Sequence, residues 1–399
     1  MPGDVLRPGR LVAVDVARCL ALLGMMATHV VGKRTPDGDL TWAYALAGGR
    51  ASALFAVLAG VSLALATGRT EPIVGTELRR ARLGLAARAG LVALLGLALG
   101  GLDSGIAIIL AHYGVLFLLA LPFLSLRARS LAALTVGWVL LTPVLLHLLL
   151  PRFPEFDGRS PELGDLADPG RLLGELAVTG TYPVLPWLGF VLAGLAVGRT
   201  DLRRPVRALA LLVGGALAAA AAYAVSRALT ALPAVRDGLG YPDLDHAGLR
   251  NLLADGTGGS PPVDGGWSWL LVVAPHSATP FDLVHTIGCA LLVLGGCLLL
   301  AEWLPAPGRR VLVVLFGAGT MTLSLYTLHV LMLTPSLWPP EESDAYVWHV
   351  LVVLAVGAVT VAAGRRGPLE TVVGAPSRWS RERAVSADGH RGSGNGWTS

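Results

Sequence analysis

Long apolar runs separated by short polar connections dominate this chain. Ten of them are long enough to cross a hydrocarbon layer of about 30 Å as helices. They lie near 11–31, 42–66, 83–101, 104–125, 130–150, 181–199, 206–232, 279–303, 311–335 and 345–363. Glycine recurs inside them, as at Gly214-Gly215-Ala216. Small residues let helices approach closely in lipid, where no hydrophobic force joins them. Two longer connections, 151–180 and 233–278, are rich in Pro, Gly and Asp. The pattern predicts an all-α polytopic transmembrane bundle over 11–363, preceded by a short terminus at 1–10 and followed by a polar, disordered tail at 364–399. No short-period repeat is evident.

Composition sharpens this. Of 399 residues, 54% are hydrophobic and 15% charged, against about 25% charged in soluble domains. The basic pI of about 9.2 does not indicate nucleic acid, because the basic residues sit in short connections between apolar runs. With the N-terminus inside, inner segments hold 20 of the 31 Lys and Arg, counting Arg199 and Arg207 at span ends, and outer segments hold seven. That asymmetry sets orientation and places both termini in the cytoplasm, in a multi-pass protein of the plasma (inner) membrane. The first run lacks a small-residue cleavage site and reads as a retained span. Cys19, Cys289 and Cys297 all lie in apolar segments, so neither a disulfide frame nor a cysteine metal site is expected. No metal ligand set stands out.

Ionisable groups inside such spans cost about 2.5–3.5 kcal/mol each on insertion scales and survive mainly where they face protein and function there. Asp15 and Arg18 are three apart on one helix face, near the inner surface, where a structural ion pair is expected. The topology places His29, His147, His276, Asp282 and His285 at outer span ends. Arg50, His112, Tyr326 and His329 fall deeper in the outer half. His246 falls in an outer loop, His349 in the last span and His390 in the tail. Imidazole is the usual acid–base group near neutral pH, so the outer histidines and Arg50 are expected to line one water-accessible chamber. His29, His147 and His276 also suit a purely interfacial role.

The motifs carry a resemblance. Arg10-Leu-Val-Ala-Val-Asp15-Val-Ala-Arg18, with Gly24-Met-Met-Ala-Thr-His29, resembles the first-helix motif of the heparan-α-glucosaminide N-acetyltransferase-like membrane acyltransferases. Gly49-Arg50-Ala-Ser52-Ala-Leu-Phe55-Ala-Val-Leu-Ala-Gly60 resembles their second-helix motif. Pro275-His276-Ser277-Ala-Thr279-Pro280-Phe-Asp282 and Gly317-Ala-Gly-Thr320-Met-Thr322-Leu-Ser-Leu-Tyr326-Thr-Leu-His329 are similar to YeiB-type bacterial proteins. The resemblance implies transfer of an acyl group from cytoplasmic acyl-CoA to a hydroxyl or amine outside. The family motif has Arg-Gly where this chain has Arg18-Cys19. The lysosomal enzymes carry a key histidine after the first span, whereas Thr35–Gly48 has none. The base would then be His29, or a histidine of the eighth or ninth span.

The expected activity is therefore acyl, in first place acetyl, transfer to an extracytoplasmic sugar-like or small-molecule acceptor, with acetyl-CoA or another acyl-CoA as co-substrate. His29 is the candidate base, with His276 and His329 as competitors. Arg50 is the candidate donor to the thioester oxyanion. Arg79, Arg80 and Arg82 are candidates for the CoA phosphates, although topology alone also explains them. The bilayer and a carbohydrate or small acceptor are the expected partners, and a homodimer stays open. The alternatives are a permease that uses the same His and Arg for solute or protons, and a scaffold without activity. No phosphate loop, dinucleotide fingerprint or His-Glu-x-x-His motif is present, and Gly256-Thr-Gly-Gly-Ser260 reads as a flexible stretch.

Overall fold

Leucine-, valine- and alanine-rich runs free of backbone competitors form the helices that the pattern predicts. A computed structural model describes residues 11–240, 245–263, 265–339 and 345–375, without the His246 side chain. The helices are α1 (Val12–Val30), α2 (Trp42–Ala47), α3 (Arg50–Ala66), α4 (Gly75–Gly100), α5 (Leu110–Ala120), α6 (Ala128–Leu149), α7 (Pro169–Gly174) and α8 (Val184–Gly198). They continue as α9 (Pro205–Thr230), α10 (Pro233–Asp237), α11 (His246–Asp255), α12 (Pro280–Trp303), α13 (Ala306–Leu315), α14 (Thr322–Met332) and α15 (Ala345–Ala362). No named strand occurs among the described residues; a single bridge joins Arg34 and Leu40.

Seven helical segments are long and apolar enough to cross a membrane, and the α7–α8 region adds an eighth if its 60° bend is one span. Two expected runs differ from simple spans. The run at 104–125 becomes helical only at Leu110 and tightens to a 3₁₀ turn at Leu121–Ser125, around Pro122. The run at 311–335 divides into α13, a 3₁₀ turn at Gly317–Thr320, and α14. The break has a steric reason: a Cβ on Gly319 would lie 1.8 Å from the Asp15 carbonyl oxygen, so the turn packs backbone against α1. The connection at 151–180 is also partly helical, and so is the start of the tail. Residues 368–375 form a helix that buries Val373 in the main core. His390 and the rest of the tail lie outside the described residues, as do residues 1–10.

Small residues set the closest helix contacts, as lipid packing requires. A Cβ on Gly60 of α3 would come within 2.1 Å of the Val191 carbonyl oxygen on α8, and one on Gly194 within 1.9 Å of that of Val57. The α9–α12 pair uses Gly215 and Gly288 in the same way. The core runs between α1, α3, α5, α8, α12 and α14. Arg199, at the end of α8 and 3% exposed, holds one end of this core together. Its guanidinium donates to the carbonyls of Ala64, Thr67, Arg69 and Leu124 and to Thr67 Oγ1. It thereby adds a charged donor to carbonyls at the ends of α3 and of the 3₁₀ turn after α5.

Candidate active site

The polar groups expected at the outer span ends fall into three neighbouring clusters. The first is a chain of three imidazoles from α1, α14 and α15. His29 Nδ1 lies 3.1 Å from His329 Nε2, and His329 Nδ1 lies 2.7 Å from His349 Nδ1. The rings of His29 and His329 stack at 5.3 Å and 10°. His329 and His349 are fully buried, and His29 keeps partial exposure in the last turn of α1.

The second cluster surrounds His276. Its ring stacks on Trp187 at 6.2 Å and 12° and meets Tyr182 edge-on at 5.6 Å. Tyr182 in turn packs edge-on against buried His112. The backbone here is unusual: His276 and Ala278 hold φ of 58° and 52°, a left-handed conformation costly for side chains other than glycine. Local chemistry holds it. Thr279 Oγ1 accepts from Asp282 N, and Asp282 Oδ2 accepts from Ala278 N, a reciprocal cap on α12. Pro280 follows in the first turn, where its missing N–H costs nothing. The glycine stretch expected to be flexible clamps this turn instead. Thr257 N donates to the Pro275 carbonyl and Gly259 N to that of His276. A Cβ on Gly256 would collide with the Pro275 oxygen at 2.2 Å. His276 Nδ1 is buried without a hydrogen-bond partner among the described residues. Burial, then the nearby Lys33 charge, lowers its pKa to about 4, because a low-dielectric site disfavours imidazolium.

The third cluster is built on Arg50. Gly49, at φ 69°, lets α3 start hard against Pro275 and His276. Arg50 Nε donates to His285 Nε2 at 3.2 Å, and Arg50 Nη1 to the Ala45 carbonyl. Arg50, His285, Asp282, Tyr44, Tyr223 and Arg227 line a cavity of about 340 Å³. The Arg34–Asp255 ion pair (2.8 Å) and the Tyr44 hydroxyl, donating to the Asp255 carbonyl, fasten the end of α11 beside it. The single chamber expected from the sequence is thus not what the structure holds. His29, His276 and His329 are not among the residues that line this cavity, whose wall includes Pro275 of the neighbouring turn. His147 lies apart again, against Trp267.

A separate polar cavity opens between α1, α3 and α4, toward the end of α3 opposite Arg50. It encloses about 290 Å³ and is lined by Arg18, Ser62, Arg88, Thr320, Thr322 and Glu370 among apolar neighbours. The expected Asp15–Arg18 pair forms at 2.9 Å, and Arg18 also donates to Ser62 Oγ at 2.6 Å. Arg88 makes no hydrogen bond or ion pair among the described residues. Glu370 accepts from Leu323 N and Ser324 N, closing the start of α14. None of Arg79, Arg80 and Arg82 lines this cavity. Arg82 donates instead to the carbonyls of Leu121 and Pro122 in the 3₁₀ turn. Phe55 and Phe117 form the cavity's apolar wall, with Tyr113 packed between them. The Tyr113 hydroxyl donates to the Ser52 carbonyl, while that of Tyr326 accepts from Ile109 N.

Residues 10–229, more than half of the chain, match the family model described as heparan-alpha-glucosaminide N-acetyltransferase, catalytic. The chain belongs to this family. A search of curated proteins finds no match. The heparan-alpha-glucosaminide N-acetyltransferase family comprises acetyl-CoA-dependent membrane acetyltransferases, in keeping with the apolar helices described above. The matched region contains His29, Arg50, Arg18, Arg88 and His112. His276, Asp282, His285, His329 and His349 come from the chain beyond it. Sequence reasoning gave no role to Arg88, Arg199 or His349. For Arg88 and His349 the signal was present, an ionisable group within an apolar run. Among the described residues no group of three or more His, Cys, Asp and Glu side chains is arranged to hold a metal ion.

Proposed function

We propose that the protein transfers an acetyl group from cytoplasmic acetyl-CoA to a hydroxyl or amine of a small or sugar-like acceptor on the extracytoplasmic side. One observation carries this reading. The same two helices present a basic cavity at one end and the imidazole and guanidinium clusters at the other. Along α1, Arg18 and His29 are about 16 Å apart, and along α3, Ser62 and Arg50 about 18 Å apart, at 1.5 Å per residue. A thioester carried on a long flexible arm suits that separation. Arg18 and Arg88 take the role first given to Arg79, Arg80 and Arg82, since a guanidinium inside a span is costly unless an anion or water meets it. His29 takes the acceptor's proton, with His276 the competing base. Arg50, fixed by His285 and Ala45 in the neighbouring cavity, donates to the oxyanion of a substrate that reaches across both clusters. The Lys/Arg asymmetry supports cytoplasmic termini, and the candidate spans together with the bent pair and the two shorter apolar helices fit ten membrane-embedded segments.

In the reaction the acceptor lone pair attacks the thioester carbonyl as His29 Nε2 receives the acceptor proton. The tetrahedral oxyanion collapses, the C–S bond breaks and CoA leaves as the thiolate. Purified protein in lipid nanodiscs, given radiolabelled acetyl-CoA and glucosamine, is expected to release CoA and label the sugar. His29→Ala is expected to abolish both. Unchanged turnover in that variant would remove His29 from the chemistry, and absence of CoA release across amine and hydroxyl acceptors would overturn the reading.

A further inference from the structure

We infer that His29, His329 and His349 form one proton relay, in which His349 is a positioning residue that sets the protonated nitrogen of His29. This rests on the acetyl-transfer reading for its purpose but on geometry for its existence. A neutral imidazole has one N–H and one lone pair. His329 spends both nitrogens inside the chain, on His29 at 3.1 Å and on His349 at 2.7 Å. It therefore donates to one neighbour and accepts from the other, and both hydrogen bonds must run in the same sense.

Only one sense makes His29 a base. If His29 Nδ1–H donates to His329 Nε2, then His329 Nδ1–H donates to His349 Nδ1, and the lone pair of His29 sits on Nε2. In the opposite sense His349 Nδ1–H donates to His329, His329 Nε2–H donates to His29, and His29 Nε2 already carries a proton. The tautomer of fully buried His349 thus decides, two rings away, whether the partly exposed imidazole of His29 accepts or donates. Three elements meet here, α1, α14 and α15, so the relay also ties the matched region to the chain beyond it.

The relay gives the acceptor's proton somewhere to go. As the acceptor–carbon bond forms, its proton binds His29 Nε2. The Nδ1 proton of His29 passes to His329 Nε2, and the Nδ1 proton of His329 passes to His349 Nδ1. The positive charge moves to the far ring, the net proton count is unchanged, and the reverse shift returns the proton to the departing thiolate or to water. No oxidant, reductant or metal is needed.

The test is ¹⁵N NMR of histidine-labelled protein in nanodiscs, run beside acetyl-transfer kinetics. In the unmodified protein, nitrogen–nitrogen couplings are expected across both hydrogen bonds, with His29 protonated on Nδ1. His349→Phe is expected to leave His329 free to reverse, so that His29 shows mixed tautomers. In that variant kcat falls by about 10²-fold, the low end of general base catalysis, and KM for acetyl-CoA holds. His349→Asn, whose amide oxygen accepts from His329, is expected to restore the Nδ1–H form and part of kcat. A missing coupling, or a His29 tautomer indifferent to His349→Phe, overturns the relay. The coupling measurement stands even where the Phe variant fails to fold. Intact couplings with no acetyl transfer would instead overturn the proposed function and leave the relay standing.

Discussion

Arg50 Nε donates to His285 Nε2 at 3.2 Å, while His285 Nδ1 meets the Ala219 carbonyl at 3.0 Å. Because a carbonyl only accepts, His285 carries its proton on Nδ1 and its lone pair on Nε2. His285 is therefore committed to aiming the guanidinium and has no nitrogen left to serve as a base. The expected outcome is graded. Arg50→Ala lowers kcat by about 10²–10³, as loss of an oxyanion donor does. His285→Ala loosens the guanidinium and gives a smaller loss of kcat. Arg50→Lys rescues poorly, since a lysine lacks the planar fork. Steady-state acetyl transfer by the three variants checks this ordering, and a larger loss in His285→Ala than in Arg50→Ala would refute it.

Arg88 tests the donor side. Arg88→Ala is expected to raise KM for acetyl-CoA by about tenfold, the equivalent of about 1.4 kcal/mol, with little change in kcat. Arg79→Ala and Arg80→Ala are expected to leave both constants alone. Calorimetric titration with CoA gives the binding change without turnover.

Arg199 tests the scaffold. Its guanidinium serves four carbonyls and one hydroxyl. Arg199→Leu is expected to cost about 3 kcal/mol or more, since several buried acceptors lose a charged donor at once. Thermal unfolding in detergent, followed by tryptophan fluorescence, should show a lowered midpoint. Arg203→Leu, on the exposed connection that follows, should not.

His276 predicts a pH effect on stability. Its folded pKa of about 4 lies below the usual 6.5. Between those values the unfolded chain binds the proton and the folded chain does not, so stability falls as pH falls. The contribution is fully present above about 6.5 and is lost toward pH 4. Unfolding midpoints across this window should slope upward with pH, and His276→Asn should flatten the slope. An unchanged slope would place its source elsewhere.

Much of this arrangement can be read from residue order alone. Hydropathy marks every long helix, and the i, i+3 spacing of Asp15 and Arg18 foretells their ion pair. Depth along the spans brings His29 and His329 to the same level. Depth does not say which way a ring points, so the division between the imidazole chain and the Arg50 cavity was not legible. The break at Gly317–Thr320 was hidden as well, because its cause is backbone contact with α1 rather than any local helix breaker. Arg79-Arg80-x-Arg82 drew attention as a cluster, although Arg82 is occupied by carbonyls of a turn about forty positions away. Glu370 looked like part of a solvated tail, yet its partners are amides on α14.

That carboxylate gives the tail a reach disproportionate to its length. The helix it anchors begins beside the Arg18 cavity and, two turns on, carries the middle ring of the imidazole chain. Shortening the protein after Gly364 would therefore unfasten the start of the helix that holds this ring. Whatever displaces residues 368–375 has a lever on the imidazole chain.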